Sequence, residues 1–304
     1  MHIPYYKLLV AFLFVASTAY VHFRGQNRLG FWRQLSDHST FMAPINCFMY
    51  LFSKVPCTPF LKAEHFPELK LLDAHWEEIR DEALKLARSG SIRKSDKFDD
   101  LGFNSFFKTG WSRFYLMWYG QDHMSAALTC PVTVKLLKQI PGIKAAMFAS
   151  LPPGGTLVRH RDPFAGSLRY HLGLVTPGTP NCFIDVDGQR HIWRDGESVV
   201  FDETYLHYAE NKSDQTRVVL FCDVERPLHS PLARKINRLV SRHLIGAASS
   251  PNDASDKTGG LNKAFKYVQA VRLLGKKIKA RSRFWYYVLK WAIMGGPIVW
   301  WLVA

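Results

Sequence analysis

His160, Asp162, His207 and Arg217 are the residues through which this chain can do chemistry. The first two stand in the triplet "HRD", and the other two lie downstream in "LHYAENKSDQTRVV", ten positions apart. Two histidines and one carboxylate form the facial triad with which non-haem iron oxygenases hold Fe(II). Three protein ligands on one octahedral face leave room for a chelating 2-oxo acid and for O2. The far carboxylate of such a co-substrate needs a cation, and Arg217 offers a planar, bidentate fork. The triplet alone is a weak signal in a chain with 12 histidines. His75 and Glu77 make a similar H-x-E on an evident helix, where residues i and i+2 do not face each other. A zinc site would use the same ligand types, but neither an HExxH motif nor a nucleophile elbow accompanies them.

For His160 and Asp162 to converge they need a strand, on which residues i and i+2 share a face. The following stretch, "SLRYHLGLV" (167–175), alternates strictly. Ser167, Arg169 and His171 fall on one face, and Leu168, Tyr170, Leu172 and Leu174 on the other. A solvated outer face accounts for Arg169 and tolerably for His171. A polar barrel interior, built to hold a ligand, is the alternative. Short alternating runs recur from about 103 to 227: "RFYLMWYG", "AAMFASL", "CFIDVDG", "SVVFDE" and "TRVVLFCDVE". "DVDGQRHIW" predicts a hairpin turned at Asp187-Gly188. Upstream, Leu69, Leu72, Trp76, Ile79, Ala83 and Leu86 predict an amphipathic helix over 67–90. The expected fold is mainly β with flanking helices. Its core is a double-stranded β-helix of the jelly-roll, cupin-like kind.

The chain ends read differently. Residues 3–23 are apolar except for Lys7, and residues 284–304 are apolar except for Lys290. Each is long enough to span a bilayer, although Gly295, Gly296 and Pro297 weaken the second as a helix. Arg24, Arg28 and Arg33 follow the first segment; Lys276, Lys277, Lys279, Arg281 and Arg283 precede the second. Under the positive-inside rule both flanks place the intervening residues in the cytoplasm. Residues 41–60, broken by Pro44, Pro56 and Pro59, suit either a membrane-skimming collar or a core-packing arm. The net charge of +15 is uneven: ten of the 40 basic residues follow Asp256, where no acidic residue occurs. Aromatic residues lead that basic tail into an apolar stretch, which suits a juxtamembrane role better than a nucleic-acid arm. Five cysteines without a CxxC pair suit buried thiols in a reducing compartment. The expected organisation is a membrane anchor (1–25), a collar (26–66) and a helix plus jelly-roll oxygenase domain (67–230). A basic segment (231–283), including a polar linker at 249–260, and a C-terminal membrane segment (284–304) complete it.

"HRDPFAGSLRYHLGLVTP", "WRDGESVVFDETYLHYAEN" and "RVVLFCDVERP" resemble the aspartyl/asparaginyl β-hydroxylase family of Fe(II)- and 2-oxoglutarate-dependent oxygenases. "TGWSRFYLMWYG" resembles the family's upstream segment, and the likeness covers roughly residues 100–228. "YVHFRG", "APINCFMYLFS", "GFNSFFK" and "AASSPN" extend it towards the bacterial members that hydroxylate lipid A acyl chains at C-2 in the inner membrane. The resemblance implies His160, Asp162 and His207 as ligands of Fe(II), with 2-oxoglutarate and O2 as co-substrates. Animal protein hydroxylases of the family carry glycine at the position of Asp162 and serine at that of Ala149. Arg217 and His171 match positions that bind the co-substrate carboxylates, Arg169 a polar position of the same pocket, and Trp111 its co-substrate or substrate side. The implied substrate is lipid A or a lipopolysaccharide precursor. Alternatives are a protein Asp or Asn side chain, or a non-catalytic membrane scaffold, which the intact triad disfavours.

Overall fold

The computed structural model describes residues 4–94 and 100–303, so the ends of the two expected terminal segments, residues 1–3 and 304, lie outside the described residues. Eleven strands are described, and they form two antiparallel sheets. The larger runs β1 (Phe60–Leu61), β9 (Ser198–Phe201), β6 (Ser167–Val175), β11 (Arg217–Glu225), β4 (Ile143–Leu151), β2 (Ser112–Trp118) and β3 (Gln121–Asp122). The smaller runs β5 (Thr156–His160), β10 (His207–Asn211), β7 (Cys182–Val186) and β8 (Gln189–Ile192). Such a pair of facing sheets, flanked by helices, is the expected jelly roll.

Alternation along the two central strands explains why the larger sheet is buried on both sides. Leu168, Tyr170, Leu172 and Leu174 of β6, with Leu220 and Cys222 of β11, pack towards Leu72, Ile79, Ala83 and Leu86. The last three lie on the helix Trp76–Arg88. The opposite faces, with Val219 and Phe221, meet Ile184, Val186 and Ala209 of the smaller sheet. Arg169 and His171 therefore point between the sheets and are buried, which removes the solvated-face explanation of "SLRYHLGLV". The β7–β8 hairpin turns as expected: Val186 pairs with Gln189, and Asp187 (φ 54°) and Gly188 (φ 88°) take the left-handed conformations of a type I′ turn.

Two expectations fail in instructive ways. β5 ends at His160, so Asp162 lies in the loop beyond it, not on the strand. His207 opens β10. The polar stretch 249–260 is not a free linker either. Ser249, Ser250 and Asn252 are buried, and the Asn252 side chain bonds both the N–H and the carbonyl of Tyr115.

The apolar N-terminus forms the helix Tyr5–Phe23, among the described residues the one helix long and apolar enough to cross a membrane. The final helix, Arg283–Val303, continues through Pro297 and exposes Phe284, Trp285, Ile293 and Trp300. Lys7 donates to the Trp301 carbonyl (2.8 Å), so the two apolar helices meet at their far ends. Residues 41–60 act as a packing arm: the helix Ala43–Leu51 buries Ala43, Met49 and Tyr50 against Phe164, Ala165, Leu228 and Ala233. Its Leu51 stays 77% exposed.

Candidate active site

The space between the sheets holds a cavity. All seven residues singled out in the sequence line it: Trp111, His160, Asp162, Arg169, His171, His207 and Arg217. At one end His160, Asp162 and His207 bring their ligand atoms within 4.8 Å of one another. His160 and His207 sit opposite each other in the β5–β10 pairing, their rings 4.2 Å apart. Each histidine fixes its own tautomer. The Nδ1–H of His160 donates to the Val158 carbonyl (2.6 Å), and that of His207 to the Tyr205 carbonyl (2.9 Å). Both Nε2 lone pairs are left for a metal, the arrangement by which metal-binding histidines are oriented. Burial holds both rings neutral. It pushes His207 down to about 3, helped by His160, and lowers His160 as well.

Asp162, off its strand, is placed from two other directions. Its backbone N–H donates to the Glu203 carbonyl (2.9 Å). The loop around it is gripped by the segment 26–66: His38 donates to the Arg161 carbonyl (2.6 Å), and Asn46 bonds Pro163 and Ala165. The Asp162 side chain splits its two oxygens. Oδ1 faces His160 at 3.5 Å, and Oδ2 accepts from Arg169 at 2.7 Å. Burial alone would raise its pKa, but the Arg169 guanidinium outweighs burial and holds Asp162 well below the usual carboxylate range.

Arg169 lines the cavity, yet its guanidinium is already engaged. It pairs with Asp162, Glu203 and Asp223 and lies over the Phe221 ring at 3.5 Å. Ser167 bonds Glu203, and Tyr119 bonds Asp223 and Ser167, which closes a buried polar network. Burial raises both Glu203 and Asp223, against the pull of Arg169.

Arg217 and His171 are the opposite case. Arg217 is 1% exposed, stacks over Trp193 at 4.4 Å, and leaves Nε and Nη1 without a partner. Burial lowers its pKa to about 10. Both ring nitrogens of His171 are equally unpartnered, and burial together with Arg169 and Arg217 keeps that ring neutral. A buried, unpaired guanidinium is costly. Two such orphans facing one cavity fit an anionic ligand carrying a carboxylate, and the His-Asp-His end fits a divalent cation.

An aromatic wall closes the remaining side. Trp111 stacks on Phe103 (4.8 Å) and Phe107 (5.8 Å), and Phe106 lies 4.7 Å from the His160 ring. Glu203, Asp223 and Tyr119 were not singled out from the sequence. Glu203 and Asp223 left a signal as acidic residues in or just after apolar strand runs, "VVFDE" and "VVLFCDVE"; Tyr119 left none. The partly exposed lining residues, Leu157, His160, Asp162 and Tyr208, mark the cavity's rim.

The sequence profile of the aspartyl/asparaginyl beta-hydroxylase family matches residues 73–227, half of the chain. Among characterised relatives, the ornithine lipid ester-linked acyl 2-hydroxylase of Rhizobium tropici is 36% identical over 193 residues. That match covers 61% of this chain and 66% of the relative. The human aspartyl/asparaginyl beta-hydroxylase is 28% identical over 174 residues, covering 55% of this chain and 22% of that enzyme. The chain thus spans just under two thirds of one relative and about a fifth of the other. Among solved structures, a Pseudomonas putida prolyl-4-hydroxylase aligns with TM-score 0.34 and 16% identity, over 61% of this chain and 100% of its own length. With a profile match spanning the helix Trp76–Arg88, every strand but β1 and every residue of the cavity's polar lining, the chain belongs to the aspartyl/asparaginyl beta-hydroxylase family, a family of hydroxylases.

Proposed function

We propose that this protein is a membrane-bound, Fe(II)- and 2-oxoglutarate-dependent dioxygenase that hydroxylates C-2 of a secondary acyl chain of lipid A. The observation that carries the chemistry is the pairing, in one cavity, of the His160–Asp162–His207 cluster with the unpartnered Arg217 and His171. His160, Asp162 and His207 would hold Fe(II). Arg217 would fork onto the distal carboxylate of 2-oxoglutarate, with His171 beside it. The bound iron and co-substrate supply the oxidant for an unactivated C–H bond. The balance is C–H plus O2 plus 2-oxoglutarate giving C–OH, succinate and CO2. The protein's own part is orientation. Two carbonyls fix the histidine tautomers, Arg169 fixes Asp162, and Phe103, Phe106 and Trp111 keep water from the reacting centre.

A lipid substrate is favoured by the surroundings of the rim. Arg33 donates to the Arg159 carbonyl (3.0 Å) and Arg161 donates to Gln34 (2.9 Å), so the short helix Phe31–Gln34 sits beside it. Phe31 and Trp32 are 61% and 70% exposed there, and Trp32 meets Trp291 of the final helix. An acyl 2-hydroxylase among the relatives points the same way. In this reading Tyr5–Phe23 anchors the protein in a bacterial inner membrane, and the basic flanks put the cavity on the cytoplasmic side. Expression in a Gram-negative host lacking the activity should add about 16 mass units, one oxygen, to part of its lipid A. Fragmentation should place the hydroxyl at C-2. An unshifted spectrum with folded, iron-loaded protein would instead favour a protein Asp or Asn side chain as substrate.

A further inference from the structure

Arg24 is the first residue beyond the helix Tyr5–Phe23, and it lies far outside the family-matched residues 73–227. Its side chain is nevertheless 5% exposed and buried against the active-site scaffold. Nη2 pairs with Asp202 at 2.5 Å, and Nη1 donates to Thr204 at 2.7 Å. The guanidinium plane is sandwiched between the rings of Tyr50 (4.0 Å) and Tyr205 (3.9 Å). Every contact but that with Tyr50 falls on the turn 202–205 that joins β9 to β10, and Tyr50 itself donates to Thr204 (2.7 Å).

That turn holds two members of the His-Asp-His cluster. The Glu203 carbonyl takes the backbone N–H of Asp162 (2.9 Å), and the Tyr205 carbonyl takes the Nδ1–H of His207 (2.9 Å). A shift of the turn therefore moves both acceptors together, and with them the carboxylate of Asp162 and the Nε2 lone pair of His207. We infer that Arg24 is a positioning residue for the metal centre: the end of the membrane helix sets the geometry of the turn that aims Asp162 and His207. The inference rests on His207 and Asp162 as metal ligands, the reading given above.

The fold has the means to survive loss of Arg24. Asp202 retains its second cation, Arg226, at 2.8 Å, so the buried carboxylate is not left unpaired. The test uses the full chain in detergent micelles and Co(II) alone as probe, read by its visible ligand-field bands and its dissociation constant. Arg24→Met should weaken Co(II) about tenfold to a hundredfold, the usual effect of losing a group that orients a ligand, and should shift the bands. Arg24→Lys should recover part of the affinity, since it restores the charge without the fork. A merely structural role would lower the melting temperature yet leave Co(II) affinity and spectrum of the folded protein unchanged, and that result overturns the inference. Should Arg24→Met not fold, Thr204→Val decides the question by the same titration, because it removes the shared hydroxyl and spares the ion pair. His207→Ala runs alongside: wild-type Co(II) binding in that variant would sink the ligand assignment itself, whereas an effect in His207→Ala without one in the Arg24 variants sinks only the role of Arg24.

Discussion

Replacing Arg217 by methionine should make the ligand-free protein more stable while destroying its affinity for 2-oxoglutarate. The two effects come from one cause. Fully buried, Arg217 has lost its water and gained no anion, and its pKa falls from the ordinary arginine value to about 10. The fall corresponds to about 3 kcal/mol held against the cation in the fold. Because the folded-state value is the lower one, this cost is fully present at neutral pH and fades only as pH rises through 10. Methionine fills similar space without the charge, so the apo protein should gain part of that amount. Each kcal/mol is worth about 2–4 °C for a domain of this size, so a rise of several degrees is expected by calorimetry. With 2-oxoglutarate and metal the order should invert. A charge-assisted bond to a carboxylate is worth about 1.5–3 kcal/mol, so the dissociation constant for 2-oxoglutarate should rise about 10- to 150-fold. Lysine should rescue partly, as a point charge without the fork. An Arg217→Met protein that melts well below wild type and still binds 2-oxoglutarate normally would refute the reasoning, and Arg217 would be structural.

Three further outcomes are expected. His160→Ala or His207→Ala should abolish Fe(II) binding by titration and all turnover, and Asp162→Ala should reduce both strongly. Because burial keeps His160 and His207 neutral, with His207 near 3, metal binding should persist below pH 6. Stability should meanwhile fall as pH drops below the unfolded histidine value near 6.5, by about 1.4 kcal/mol per pH unit for each such ring; stability flat between pH 6.5 and 5 would contradict this. Finally, the protein should stay in the membrane pellet through a high-salt wash, and a reporter fused near Asp256 should read cytoplasmic; a periplasmic signal would reverse the orientation.

The chemistry of the site was legible because its residues follow local rules. Strict alternation in "SLRYHLGLV" assigned Arg169 and His171 to one face, and the Asp187-Gly188 turn carries its own backbone signature. What was not legible depends on distant partners. Asp162 converges with His160 although it has left the strand, because Glu203 and Arg169 hold it. Nothing in the triplet itself encodes those contacts. Asn252 reads as linker in a run of Ser, Asn and Asp, yet it is buried by bonds to a strand 137 residues away. Arg24 reads as one more positive charge at a membrane boundary, and only the fold reveals the ion pair that removes it from water.

Arg24 and Asp202 are 178 residues apart in the chain. At synthesis rates of about 5–20 residues per second, roughly 9–36 s separate the appearance of the two. For that interval the helix Tyr5–Phe23 is already made, while the turn that Arg24 grips does not exist. In the proposed topology Arg24 then stands unpaired at the bilayer surface, where anionic headgroups would attract each such charge by about 1 kcal/mol. Lys7 waits longer still for the Trp301 carbonyl, 294 residues on. Docking onto the helix Tyr5–Phe23 is thus a late event in the life of each new chain. In the reading proposed above, a metal centre whose ligands are aimed from that contact would acquire its final geometry only after the turn 202–205 is made, about two thirds of the way along the 304 residues, so the order of synthesis itself would disfavour premature capture of a metal by a half-made site.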